Sequence, residues 1–227
     1  MIKRKELQWW DVLALSVILF GFPIWNSTRI IFHASAGAAG GGTSFSANDN
    51  WFGILTTVIE LGLGYLYLRL RKFDFSQWRY KITWKGTAGA VAIFMLMSLS
   101  MDVVSILSEG WRAATAYAGY PGILRAISEI DVSLIAFSLL NGAYEEIFFL
   151  GVCTMVPDRQ KTPVLIYSLL IRFLFHTYQG FASALGIGVL VGALYYVLYR
   201  KSNRNLHPFM LSHSLADIFG ASLIYLL

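Results

Sequence analysis

Residues 132–152 read VSLIAFSLLNGAYEEIFFLGV, an apolar run that contains two adjacent acids, Glu145 and Glu146. A helix of about 20 mainly apolar residues is long enough to cross the hydrocarbon layer of a membrane, so this run predicts a membrane-spanning helix. An ionisable side chain at that depth costs roughly 2.5–3.5 kcal/mol on insertion scales. Acids retained there are functional by default, and the pair therefore marks a candidate site.

The rest of the chain also has the composition of a membrane protein. Of its 227 residues, 56% are hydrophobic and 14% are charged, whereas a soluble domain carries about 25% charged residues. The predicted spans are Val12–Ile31, Trp51–Leu70, Ala88–Leu107, Val132–Val152, Pro163–Gly180, Phe181–Tyr199 and Pro208–Leu227. They predict an all-α, polytopic transmembrane helix bundle of about seven spans, built as a single membrane domain over residues 1–227. Trp111–Ile130 is a candidate eighth span, although its charges and its Pro-Gly pair favour an interfacial or re-entrant helix.

The net charge of +5 is distributed unevenly along the chain. With a cytoplasmic N-terminus, 14 Lys and Arg residues fall on the inner side of the predicted bundle and only Arg29, Arg112 and Arg125 on the outer side. This asymmetry obeys the positive-inside rule. It predicts a multi-pass protein of the cell membrane with an extracytoplasmic C-terminus, and it gives no reason to expect nucleic-acid binding.

Further ionisable residues lie inside the later spans, at helical spacing. Arg172 and His176 are four residues apart, as are His213 and Asp217, so each pair shares one face of its helix. The span bounds place His176 nearer the outer side of the membrane than His213.

The two glutamates point about 100° apart around the helix axis because they are neighbours in sequence. We expect one to face a cavity and the other to face a partner such as Arg172, or to be protonated. Glu60 and Asp102 match no motif, so we expect structural roles for them, as packing partners or caps.

These residue types can hydrolyse a peptide without a covalent intermediate. A carboxylate beside an imidazole can take the proton of a water, and a second imidazole can donate to the oxyanion that forms. Other readings remain open: a buried structural ion pair, or histidines that link helices by hydrogen bonds. His176, His213 and Glu145 also form a set of the kind that holds zinc, although no HExxH spacing occurs.

The chain resembles the CPBP family in three motifs that occur in order on separate predicted spans: Glu145-Glu146, His176 and His213-x-x-x-Asp217. That family comprises the type II CAAX prenyl endopeptidases, bacteriocin-processing or immunity proteins and abortive-infection proteins, and its pattern is EExxxR, FxxxH and HxxxN or HxxxD. Residues 130–227 carry the resemblance. It implies a metal-independent intramembrane protease without a cofactor, in which Glu145 and His176 activate water while His213 and Asp217 form the oxyanion site.

Two positions depart from the family pattern. Leu150 stands where the first motif has Arg, and Arg172 stands where the second has Phe. We hypothesise that Arg172, one turn before His176, supplies the cation that Leu150 does not. An ionised Asp217 accepts but does not donate hydrogen bonds, so it serves an oxyanion only when protonated or by orienting His213.

The sequence therefore predicts an intramembrane endopeptidase that cleaves a peptide, a lipidated peptide or a membrane-anchored precursor. Glu145 is the predicted base and Glu146 its electrostatic support. The expected partners are that substrate, membrane lipids and, in the alternative role, a membrane sensor kinase. The alternative is a non-catalytic family member that acts in bacteriocin immunity or regulates such a kinase. A proton-coupled carrier is disfavoured because no inverted repeat is found.

Overall fold

The computed structural model describes residues 4–34, 46–111, 127–128 and 130–226. Apart from two isolated β-bridges, the regular structure in these ranges is helical, which confirms the predicted all-α class. The helices are α1 (Trp9–Ala34), α2 (Ala47–Leu70), α3 (Trp84–Glu109), α4 (Val132–Glu146), α5 (Asp158–His176), α6 (Phe181–Leu185), α7 (Gly192–Lys201), α8 (His207–Phe219) and α9 (Leu223–Leu226). Two π-helical segments, Ile147–Val152 and Gly186–Val191, continue α4 and join α6 to α7. A 3₁₀ turn, Thr177–Gln179, follows α5.

Five helical stretches of the described chain are long and apolar enough to cross a membrane. They are Trp9–Ile30, Ala47–Leu70, Trp84–Glu109, Val132–Val152 and Phe181–Lys201, and they coincide with the predicted first, second, third, fourth and sixth spans. The chain is thus a multi-pass membrane protein. The predicted fifth and seventh spans contain the helices α5 and α8, which fall outside these length and hydropathy limits, so a count of seven spans stays a prediction. Most of Trp111–Ile130, the candidate eighth span, lies outside the described residues.

Helix α5 runs beside α1 in the same direction and over nearly the whole length of α1. Three hydrogen bonds of 2.5–3.0 Å join the two helices at matching intervals. The pairs, in chain order, are Trp9 with Gln160, Ser16 with Tyr167, and Ser27 with Thr177. Because a helix rises about 1.5 Å per residue, α5 covers the same depth as the apolar helix beside it.

Close approach of α5 to the second π segment depends on glycine. A Cβ atom on Gly188 would lie 2.5 Å from Cα of Phe173, and one on Gly192 would lie 2.8 Å from Leu169. No side chain fits at the first position without moving the backbone of α5. Gly188 and Gly192 have GxxxG spacing, which is typical of tightly packed membrane helices, and the structure shows that their partner is the helix that carries Arg172.

Helix α4 packs against α8 in a similar way, through Gly142. A Cβ atom there would lie 2.5 Å from Oγ of Ser214 and 2.7 Å from the carbonyl oxygen of Met210. This glycine lies three residues before Glu145 and lets the two helices approach at the depth of the acids. The contact thereby brings α4 and α8 together beside the candidate site.

The two intramembrane acids that match no motif have structural partners, as expected. Asp102 accepts hydrogen bonds from the Ser222 hydroxyl at 2.5 Å and from the backbone N–H of Leu223 at 3.0 Å, and so caps the start of α9. Glu60 accepts a hydrogen bond of 2.9 Å from the Tyr144 hydroxyl, which links α2 to α4. Neither acid adds to the cluster around Glu145.

Candidate active site

Three helices contribute the predicted site residues, two residues each. Helix α4 carries the glutamates, α5 carries Arg172 and His176, and α8 carries His213 and Asp217. All are buried except Asp217, which is half-buried. The four-residue spacing places the α5 pair on one face of its helix and the α8 pair on one face of its own, and the Gly142 contact brings α8 against α4.

Glu146 is held by two donors from two different helices. Its Oε1 accepts hydrogen bonds from Nη2 of Arg172 and from Nδ1 of His213, each 2.8 Å long. The Arg172 guanidinium also stacks 4.1 Å from the centroid of the Phe149 ring. The expected contact between one glutamate and Arg172 is therefore present, and the glutamate is Glu146.

Leu150 lies in apolar surroundings close to this ion pair. Its side chain is 1% exposed and belongs to the same buried cluster as Tyr195. The Tyr195 ring centroid is in turn 5.8 Å from Cζ of Arg172. Tyr195 therefore belongs to the apolar cluster that contains Leu150 and also lies near the Arg172 cation.

Glu145 is held more loosely than Glu146. Its Oε1 accepts one hydrogen bond, 3.2 Å long, from Nδ2 of Asn141, and lies 3.5 Å from Nε2 of His213. Its Oε2 is buried and accepts no hydrogen bond from the described residues. Oε2 of Glu146 is likewise buried without such a partner, so the two glutamates differ in how firmly Oε1 is held.

The two histidines differ in their surroundings. His213 faces three carboxylates: Nδ1 donates to Glu146, while Nε2 lies 3.5 Å from Glu145 and 3.7 Å from Asp217. Nδ1 of His176 lies 2.8 Å from the carbonyl oxygen of Arg172 and must donate there, because a carbonyl only accepts. A neutral His176 then has its lone pair on Nε2.

His176 lies one helical turn beyond Arg172, at the end of α5, and is buried. Of the two histidines, His213 has nitrogens within 4.0 Å of carboxylate oxygens, and His176 has no such contact among the described residues. His176 therefore lies beside the carboxylate cluster, on the helix that carries Arg172.

Sequence reasoning missed one residue of the cluster, Asn141. Its Nδ2 lies 3.2 Å from Glu145 and 2.9 Å from Oδ2 of Asp217, so it links α4 to α8. Asn141 lies one turn before Glu145, a spacing that places both side chains on one helix face. That spacing was the available signal, although Asn141 is neither ionisable nor part of a family motif.

The zinc donor set suggested by the sequence differs from the one that the fold brings together. Glu145, Glu146 and His213 each offer a ligand atom within 4.8 Å of the others, and this group does not include His176. Nδ1 of His213 and Oε1 of Glu146 are 2.8 Å apart and hydrogen-bonded to each other. Arg172 places a fixed cation at the same oxygen, which opposes binding of a dication there.

Comparison with known proteins gives one family match. Residues 127–219 match the family described as Type II CAAX prenyl endopeptidase Rce1-like. No curated protein and no solved structure matches the chain significantly. The matched segment contains all six site residues predicted from the sequence, and over this segment the chain is similar to the CPBP, or CAAX protease, family.

Proposed function

We propose that this protein is an intramembrane endopeptidase in which Glu145 and His176 activate a water for attack on a peptide carbonyl. One observation carries the proposal: the two adjacent glutamates have different environments. Oε1 of Glu146 accepts two hydrogen bonds of 2.8 Å, whereas Oε1 of Glu145 accepts one of 3.2 Å. Oε2 of each glutamate is buried without a hydrogen-bond partner among the described residues. A general base needs such an open lone pair within reach of the proton that it removes.

The remaining residues would stabilise the negative charge that develops during the reaction. Water gives its proton to Glu145, aided by Nε2 of His176, and its oxygen bonds to the carbonyl carbon. The carbonyl oxygen becomes an oxyanion, which Nε2–H of His213 can stabilise as a donor. The proton then passes to the leaving amine as the peptide bond breaks. Asp217, 3.7 Å from Nε2 of His213, orients that ring.

Arg172 and Glu146 would act as positioning residues in this scheme. Their ion pair fixes Oε1 of Glu146, and that oxygen fixes Nδ1 of His213. Nε2 of the ring is thereby directed toward Glu145 and Asp217. The orientation of the oxyanion donor thus depends on a residue that need not touch substrate.

The substrate class follows from the family and from the location of the site. The family is one of CAAX prenyl endopeptidases, and the two acids of the buried cluster lie on α4, whose stretch Val132–Val152 is long and apolar enough to cross a membrane. A peptide or lipidated peptide that enters from the membrane fits both facts. We place the N-terminus in the cytoplasm because the basic residues collect on that side.

A second candidate function is a non-catalytic role in bacteriocin immunity or in regulating a membrane sensor kinase. The observation that favours it is Leu150, which is buried in an apolar cluster where the family's first motif has an arginine. Loss of that arginine is expected in a member that uses the fold for contact. The Arg172–Glu146 pair favours the catalytic role, because a buried cation still supports the glutamates.

The test uses the purified chain in lipid vesicles with an internally quenched, farnesylated CAAX peptide and its unprenylated counterpart. We expect the wild type to cleave at least one peptide, and Glu145→Gln and His176→Ala each to lower kcat at least 100-fold. Ser138→Ala is the matched control. Ser138 is buried in α4, about two turns before Glu145, and its hydroxyl has no hydrogen-bond partner among the described residues. Cleavage at the wild-type rate by both site variants would contradict the catalytic role.

A further inference from the structure

Asn141 is the neutral side chain that joins two of the buried carboxylates. Nδ2 donates to Oε1 of Glu145 at 3.2 Å on its own helix and to Oδ2 of Asp217 at 2.9 Å on α8. A carboxamide nitrogen carries two hydrogens, so it can serve both oxygens at once. The orientation of the amide is fixed by chemistry, because ionised carboxylates only accept and the carbonyl oxygen of Asn141 would face them unfavourably.

This contact decides which oxygen of Glu145 stays open. Oε1 is engaged by Asn141 and faces His213, while Oε2 is buried without a partner among the described residues. A carboxylate that can rotate about its last bond would exchange the two oxygens. The amide holds one of them, and the other is presented in a fixed direction.

The amide also separates like charges. Glu145 and Asp217 both lie within 4 Å of Nε2 of His213, so the two carboxylates are close to each other. Two carboxylates at such a distance repel strongly in a medium of low dielectric constant. A neutral donor that bonds both of them lowers that repulsion without adding a charge.

We propose that Asn141 is a positioning residue for the reaction: its carboxamide orients Glu145 as the base and couples it to Asp217. The inference rests on the proposed endopeptidase function. It assigns no substrate contact to Asn141, so the residue acts on the chemical step through Glu145. Loss of the amide should lower kcat and leave KM nearly unchanged.

The first experiment compares Asn141→Leu with Ser138→Ala in the vesicle assay with the farnesylated peptide. Leucine has a similar volume and makes no hydrogen bond, so we expect kcat to fall about 100-fold, the scale of a catalytic group misplaced by about 1 Å. KM should change less than threefold. An unchanged kcat, or a loss confined to KM, overturns the proposal. If Asn141→Leu does not accumulate in membranes, Asn141→Ser replaces it, with an expected loss of about tenfold because one donor remains.

A double variant that exchanges the two side chains distinguishes two roles of Asn141: orienting Glu145, and holding α4 against α8. The double variant Asn141→Asp/Asp217→Asn keeps one amide and one carboxylate in the contact between α4 and α8. It also places a carboxylate beside Glu145, where the amide was 3.2 Å away. We expect normal membrane levels and kcat at least 100-fold below wild type. A kcat within twofold of wild type would show that only the contact between α4 and α8 matters, and would overturn the proposal.

A chemical readout needs no substrate. Dicyclohexylcarbodiimide enters membranes and modifies protonated carboxyl groups, and mass spectrometry locates the label. Removing a hydrogen-bond donor destabilises the ionised carboxylate, so Asn141→Leu should raise labelling of Glu145 several-fold over wild type and Ser138→Ala. Equal labelling in all three overturns the control of Glu145 by Asn141. If wild type cleaves no peptide, the endopeptidase proposal fails, and this labelling still decides whether Asn141 controls Glu145.

Discussion

Nη2 of Arg172 donates a hydrogen bond of 2.8 Å to Oε1 of Glu146, and neither side chain is more than 3% exposed. The pair connects α5 to α4 at the point where two acids interrupt an apolar helix. A buried ion pair contributes little net stability, but loss of one partner leaves an uncompensated charge. The pair therefore explains how the membrane helix accommodates one of its two adjacent acids.

Removing the cation should destabilise the fold strongly. Arg172→Leu leaves Glu146 buried with His213 as its remaining donor, and we expect a loss of about 3–5 kcal/mol in the free energy of unfolding. Unfolding of the purified protein in detergent or bicelles measures it. The control, Arg159→Leu, changes an exposed arginine on the same helix and should stay within about 0.5 kcal/mol of wild type. A loss below about 1 kcal/mol for Arg172→Leu would contradict the assigned role.

Moving the arginine from position 172 to position 150 tests whether Arg172 replaces the cation of the family's first motif. Leu150 belongs to the buried cluster that contains Tyr195, and Cζ of Arg172 lies 5.8 Å from the centroid of that ring. Position 150 therefore belongs to the cluster that the cation adjoins. We expect Arg172→Leu/Leu150→Arg to recover part of the stability and of the peptide cleavage that Arg172→Leu loses. Leu150→Arg alone should be destabilising, because it places a second cation in an apolar cluster. If the double variant recovers neither property, the relocation hypothesis fails.

Most of the site was predictable because its members are ionisable and lie at helical spacing in apolar runs. That pattern predicted the contact between a glutamate and Arg172. The GxxxG spacing predicted the close packing at Gly188. Asn141 was missed because it is neutral and belongs to no motif that was sought. The π-helical segments were also missed, since a widened turn has no hydrophobic period of its own.

The glycine contacts predict a sharp difference between two alanine substitutions. A Cβ atom at Gly188 would lie 2.5 Å from Cα of Phe173, whereas one at Gly62 would meet nothing within 4 Å. Gly188→Ala should displace α5 and lower the free energy of unfolding by about 1–3 kcal/mol, as overpacking does. Gly62→Ala should leave it unchanged or raise it by up to about 1 kcal/mol, because alanine favours a helix over glycine. Equal stabilities of the two variants would show that α5 yields without cost.

Treatment with chelators distinguishes two mechanisms. In one, Glu145 and His176 activate the water; in the other, a bound metal ion does so. Oε1 of Glu146, one of the atoms in the candidate ion-binding group, is already hydrogen-bonded to Arg172 and His213 at 2.8 Å. A dication at that oxygen would have to break both bonds and approach the guanidinium, which the Coulomb repulsion disfavours. We therefore expect peptide cleavage to remain within twofold of its starting rate after dialysis against EDTA and 1,10-phenanthroline. Loss of cleavage that added Zn²⁺ restores would instead assign Glu145, Glu146 and His213 to a metal centre.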